Sequence, residues 1–195
     1  MKAIMISGKP KWTALIMKGD KTDEIRKNKG LYKAVQKLID KYGYADIYWY
    51  CSKDKINLCY KCINGEYDYD HWKVLENRDS DSNILNGKVV FKFRCYKVEE
   101  IKLNLAMRFF TESMFEPEIS KKSCLSSAEL FNYIHNNSGY DIHISDLEIF
   151  DRPRELSEFV STKLCLVDII WQSQPVFVNM PLTKAPQNFC YVEVM

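Results

Sequence analysis

The chain has 195 residues, 46% of them hydrophobic and 28% charged, with a net charge of +2. This composition excludes a disordered chain and suits one domain, burying on the order of 70% of its unfolded surface. A charge so near balance neither demands nor forbids a nucleic-acid partner, because local clustering decides that question. Seven cysteines, an odd number in a chain that folds without staples, point to reduced thiols and a cytoplasmic location. The opening MKAIMISGKPKW lacks the apolar core and cleavage site of a secretion signal, and no apolar run reaches bilayer length. No membrane association is expected.

In chain order, 3–7 is a short apolar strand that Lys9-Pro10 stops, since the residue before proline prefers extended backbone. Trp12, Leu15 and Ile16 recur at helical spacing, with Gly19 as the stop. The charged stretch GDKTDEIRK follows. If extended, it places Thr22, Glu24 and Arg26 on one face and Asp23, Ile25 and Lys27 on the other. Residues 30–43 carry an apolar stripe of Leu31, Ala34, Val35, Leu38 and Ile39, with Lys33, Lys37 and Lys41 off it and Gly43 as terminator. Residues 45–52 are aromatic-rich and strand-like. Asn64-Gly65 marks a hairpin turn, and Asn86-Gly87 opens a strand. In that strand Val89, Phe91, Phe93 and Cys95 oppose Lys88, Lys92 and Arg94.

The segment 102–122 contains Phe109, Phe110, Phe115 and Pro117 without a clear period and is taken as partly helical. Ser126 and Glu129 form a capping box, stapled by Leu125 and Leu130, and the helix is expected to stop near Asn137-Ser138-Gly139. Tyr140, Ile142 and Ile144 alternate as a strand until the apolar phase slips to Leu147 and Ile149, which predicts a bulge or bend at Ser145-Asp146. Further strands are expected over 164–171 and 189–194. The chain is taken as one domain over 1–195, with a helical insertion near 30–43 and an irregular one near 102–122.

Several motifs fail their chemistry. GDKT is not a phosphate loop, because residue 14 is alanine where that loop needs glycine. Cys59 and Cys62 have metal-ligand spacing, but no second pair completes a zinc site. His71 and His135 are assigned structural or surface roles. His143 stands out beside the predicted bulge, although a satisfied structural histidine remains its default. No metal site and no cofactor are expected.

The pattern G-x-K-T-x-E-x-R, followed by YWYCSK, LNGKVVFKF, HISDLEIFDRPRELSEF and LTKAPQNFCYVEV, resembles the ASCH domain family over nearly the whole chain. The resemblance implies an α+β, PUA-like fold: a mixed β-barrel flanked by helices. It also implies a polar cleft that binds RNA or a nucleotide or nucleoside. By matching positions it nominates Lys21, Thr22, Glu24 and Arg26, then Ser52 and Lys53, then His143, Ser145 and Asp146, with Trp12 as a stacking face. An alternative is a ribonuclease or modified-nucleoside hydrolase in which Lys21 and Glu24 are catalytic. The hydrolase-like members place a threonine three residues after the lysine, where this chain has Glu24. A third reading is a protein-interaction module built on the 30–43 helix and the Phe-rich segment.

Overall fold

The computed structural model describes residues 2–55, 58–63, 66–68, 83–101, 117–134, 138–169 and 172–194. Its main sheet contains β1 (Ala3–Gly8), β3 (Ala45–Cys51), β7 (Val89–Cys95), β10 (Ser145–Arg154), β11 (Phe159–Ile169), β12 (Gln172–Pro181) and β13 (Phe189–Val194). The strand order is β10-β7-β3-β1-β13-β11-β12. A second sheet has the order β2-β9-β8, formed by β2 (Asp23–Arg26), β9 (Gly139–His143) and β8 (Val98–Ile101). A small third sheet joins β4 (Cys59–Ile63) to β5 (Glu66–Asp68) and β6 (Asn83–Ile84). The helices are α1 (Pro10–Met17), α2 (Lys29–Tyr42), α3 (Pro117–Ser123) and α4 (Ser127–Ile134).

β1 explains its own composition. It runs parallel to β3 and antiparallel to β13. Both its faces are covered, so it is an apolar run rather than an alternating one. Ile4 and Ile6 enter the larger core with Trp49, Phe91 and the stripe of α2, while Ala3 and Met5 pack with Phe159, Leu182 and Val192 on the other side.

α2 forms where the stripe predicts it. The Asn28 side chain accepts from the Leu31 amide at its start, and Gly43 closes it at φ 81°. Leu31, Ala34, Val35 and Leu38 are buried. The Ser126–Glu129 capping box is present, with the Ser126 amide donating to Glu129 and the Glu129 amide donating to the Ser126 hydroxyl.

Two strands bend between the sheets. β7 pairs with β10, and β8 pairs with β9, so this ribbon passes from the large sheet to the small one at Tyr96-Lys97 and Ile144. The register shifts between Ser145 and Glu148, and Asp146 has φ 46°. This is the irregularity that the apolar phase slip predicts.

Two expectations need correction. Val89 does not share a face with Phe91, Phe93 and Cys95; it packs in the smaller core. The pairing of Trp49 with Phe91 and Tyr50 with Val89 leaves Val90 as an extra residue, and this bulge reverses the face. Nor does any sheet close into a barrel among the described residues. Both edges of β1 are already taken, by β3 and β13, so β2 has no ladder to join there.

The turn Asn64-Gly65, His71, His135, most of 102–122 and the last residues of the expected 164–171 strand lie outside the described residues, as do the side chains of Cys59 and Cys62. Residues 117–122 of the expected irregular segment are helical. No described helix is long and apolar enough to cross a membrane.

Candidate functional site

The G-x-K-T-x-E-x-R stretch folds inward. Gly19, at φ 80°, turns the chain out of α1 into β2. Lys21 is only 2% exposed. Its Nζ donates to the carbonyls of Asp23 at 2.6 Å and Ser123 at 2.8 Å, and stands 3.3 Å from Glu24 Oε2. An ammonium has three donors; two of them meet these carbonyls, and the charge is balanced by the Glu24 carboxylate. Glu24 Oε1 in turn lies 2.8 Å from Arg26 Nε, an ion pair whose N–H is not aligned for a hydrogen bond.

Arg26 continues the chain of charge outward. Its Nη2 donates to the Ser7 carbonyl at 2.7 Å, and its guanidinium carbon lies 5.8 Å from the centre of the Trp49 ring. Trp49 is held by its indole N–H, which donates to the Thr13 hydroxyl at 2.8 Å. Gly8 permits this packing: a Cβ there would fall 1.9 Å from Trp49 Cζ2.

The Ser52 amide donates to the Gly8 carbonyl at 2.8 Å, which sets Ser52 beside the residue that follows Ser7. Lys53 is exposed. Trp12 is half-buried, with Lys11 Nζ 4.6 Å and Lys21 Nζ 5.3 Å from its ring centre. Thr22 is exposed; its amide donates to the Lys122 carbonyl and its own carbonyl accepts from Ile144.

The other nominated residues separate from this network. His143 pairs in register with Asp23, the residue whose side chain takes the opposite face of β2 from Glu24. Its Nδ1 is 3.1 Å from Asp23 Oδ1 and its Nε2 is 3.0 Å from Glu99 Oε2. Ser145 pairs with Arg94, while Asp146 accepts a hydrogen bond from the Tyr96 hydroxyl and lies 3.7 Å from Arg94 Nη1. HISDL therefore contributes to two further surroundings, one on β2 and β8 and one on β7.

Asp23 and Asp141 were not nominated from the sequence. Both are buried, at 2% and 4% exposure, and with His143 they line a cavity of about 430 Å³ bounded by Glu99, Glu118 and Lys122. Burial, and then the charge of Asp23, push the Asp141 carboxyl up to about 7. Hydrogen bonds from Lys97 and then His143 hold Glu99 below the usual carboxylate value. The signal for Asp141 was present: in Tyr-Asp-Ile-His the aspartate and histidine are two residues apart, which puts them on one face of a strand.

No family model matches the chain, and no curated protein matches it by sequence. A solved structure of a serine-to-alanine mutant of an ASCH protein from Zymomonas mobilis is similar to it, with a TM-score of 0.51 and 15% identity over 98% of this chain and 88% of that one. Another structure of ASCH from the same organism matches with a TM-score of 0.44, 13% identity and coverage of 79% and 73%. The N-terminal domain of McrB from Staphylothermus marinus matches with a TM-score of 0.40, 9% identity and coverage of 78% and 76%. The chain thus carries the fold of an ASCH domain, a mixed α+β fold with a large sheet and four described helices.

Proposed function

We propose that the chain is a nucleic-acid-binding ASCH module that holds single-stranded RNA, or a nucleotide, at the Arg26 end of its buried charge network. The observation that carries this reading is Arg26. Its side chain is 17% exposed, is braced by Glu24 and Ser7, and lies against an indole. A planar cation fixed in this way suits recognition of a phosphate or of a base edge. The exposed Lys53 supplies charge for backbone contacts, and half-buried Trp12 supplies a face for stacking. The ASCH fold and the family motifs support the same assignment.

The PUA-like barrel implied by the motifs belongs to this reading in an open form, with Arg26 linking β2 to β1 across the seam between the two sheets. Catalysis by Lys21 and Glu24 is less favoured. Two of the Lys21 donors already meet backbone carbonyls and its charge is balanced by Glu24, so this ammonium acts first as an anchor.

The test is fluorescence anisotropy of labelled single-stranded RNA and of mononucleotides with the full chain at low and moderate salt. Binding is expected to weaken with salt by a log–log slope of about −0.7 per phosphate contacted. Arg26→Gln should weaken it about tenfold or more, the value of one charge-assisted hydrogen bond, and Lys53→Ala should flatten the slope. Absence of binding at low salt would sink the reading. Affinity unchanged in Arg26→Gln would move the site elsewhere.

A further inference from the structure

We propose that Asp23, Asp141 and His143 form a binding site for a divalent first-row transition cation of the Mn²⁺ or Zn²⁺ kind, on the face of β2 opposite Glu24 and Arg26.

The sheet places the donors. Asp23 on β2 lies directly opposite His143 on β9, and Asp141 is two residues back along β9 on the same face. One donor atom from each of the three lies within 4.8 Å of the other two. Carboxylate and imidazole donors at about 2.0–2.2 Å from an ion stand about 3.0–3.5 Å apart. Asp23 Oδ1 and His143 Nδ1 already stand at 3.1 Å, so closing the site needs only a small movement of Asp141.

Two further observations call for an ion. The first is His143, which faces a carboxylate through each ring nitrogen: Asp23 through Nδ1 and Glu99 through Nε2. A neutral ring has one N–H, so one of these contacts would set lone pair against lone pair. A cation on Nδ1, with the Nε2 proton donated to Glu99, resolves both contacts. It also reproduces the carboxylate–histidine–metal arrangement in which an outer carboxylate orients the ligand ring.

The second is Asp141, 4% exposed, whose Oδ1 has no hydrogen-bond partner. Leaving such an oxygen unmet is costly. Protonating His143 would satisfy its two neighbours but not this atom, whereas an ion between the three residues would meet it and take the place of the proton that Asp141 otherwise shares with Asp23. A divalent charge also balances the two buried carboxylates. The adjoining cavity of about 430 Å³ leaves room for water at the remaining coordination positions.

The donor set selects the class. Two carboxylates and one imidazole suit Mn²⁺ or Zn²⁺, whereas Mg²⁺ and Ca²⁺ favour all-oxygen surroundings. The site is distinct from the proposed RNA contact and stands or falls separately from it.

The experiment is titration of the full chain, first stripped with a chelator, with Mn²⁺, Zn²⁺, Mg²⁺ and Ca²⁺. Calorimetry follows all four ions, and loss of the free Mn²⁺ paramagnetic resonance signal gives a readout that thiols do not confuse. One Mn²⁺ or Zn²⁺ is expected per chain, with a raised Tm. Asp141→Asn and His143→Gln should each weaken binding by about tenfold or more, and Glu99→Gln by about tenfold through the ring it orients. Circular dichroism establishes that each variant is folded. Three results would overturn the proposal: no saturable uptake of either ion, uptake unchanged in folded Asp141→Asn, or Mg²⁺ and Ca²⁺ binding as tightly as Mn²⁺.

Discussion

Arg26 reaches from β2 to β1, where its Nη2 donates to the Ser7 carbonyl at 2.7 Å. These strands belong to different sheets and share no ladder. One side chain therefore does at this seam what a row of backbone hydrogen bonds does elsewhere. Arg26→Lys keeps the charge but cannot hold Glu24 and Ser7 together, because lysine lacks the fork. The variant should lose about 1–2 kcal/mol of stability in urea denaturation.

Lys21 predicts a larger loss. Lys21→Ala leaves Glu24 buried beside one partner fewer and frees the carbonyls of Asp23 and Ser123. Breaking a buried pair in this way costs about 3–5 kcal/mol. Denaturation midpoints should show it with no ligand present. Weak RNA binding by this variant would therefore report folding, whereas Arg26→Gln and Lys53→Ala probe the contact itself.

Gly8 should tolerate no side chain. The clash of an added Cβ with Trp49 is with a ring held by Thr13, not with a flexible chain end. Gly8→Ala is expected to lose about 1–3 kcal/mol by overpacking, read from urea denaturation. Near-ultraviolet circular dichroism should also change as the indole moves.

The cap of α2 gives a milder test. Asn28→Ala removes the acceptor for the Leu31 amide and should cost about 1 kcal/mol. A loss well above that would mean Asn28 has a role beyond the helix terminus.

Thiol labelling tests the core. Burial pushes the Cys51 and Cys95 thiols up to about 12, which leaves almost no thiolate near neutral pH. Peptide mapping after iodoacetamide should find both unmodified in the native protein and modified in denaturant. Native labelling of either would show that the sheet opens readily.

Local features of the fold were legible because their causes are local. The stripe and terminal glycine of α2, the Ser126–Glu129 box and the phase slip at Ser145-Asp146 each involve neighbours in sequence. β12 was missed because it carries Pro175 and Pro181, which argue against a strand in isolation. Among the described residues it is an edge strand, paired with β11, and an edge accommodates proline. The face of Val89 was misassigned because a bulge changes parity without changing composition.

The candidate site was half legible. Alternation correctly put Glu24 and Arg26 together and set Asp23 apart. It could not show that Asp23 meets His143, a contact across 120 positions fixed only by the pairing of β2 with β9. His143 does lie on the less apolar face of its strand, as the alternation of Tyr140 and Ile142 implies, but its partners Asp23 and Asp141 are set by the ladder and not by the local sequence.

β2 is four residues long, yet it is a party wall between two chemically opposed rooms. Glu24 and Arg26 furnish one room and Asp23 the other. Sliding the strand by a single residue would exchange the faces, bringing Glu24 to the side of the imidazole and turning Asp23 to the other side. Deletions or insertions between Gly19 and Asp23 should therefore abolish both sets of contacts together, while side-chain exchanges can alter one and spare its neighbour.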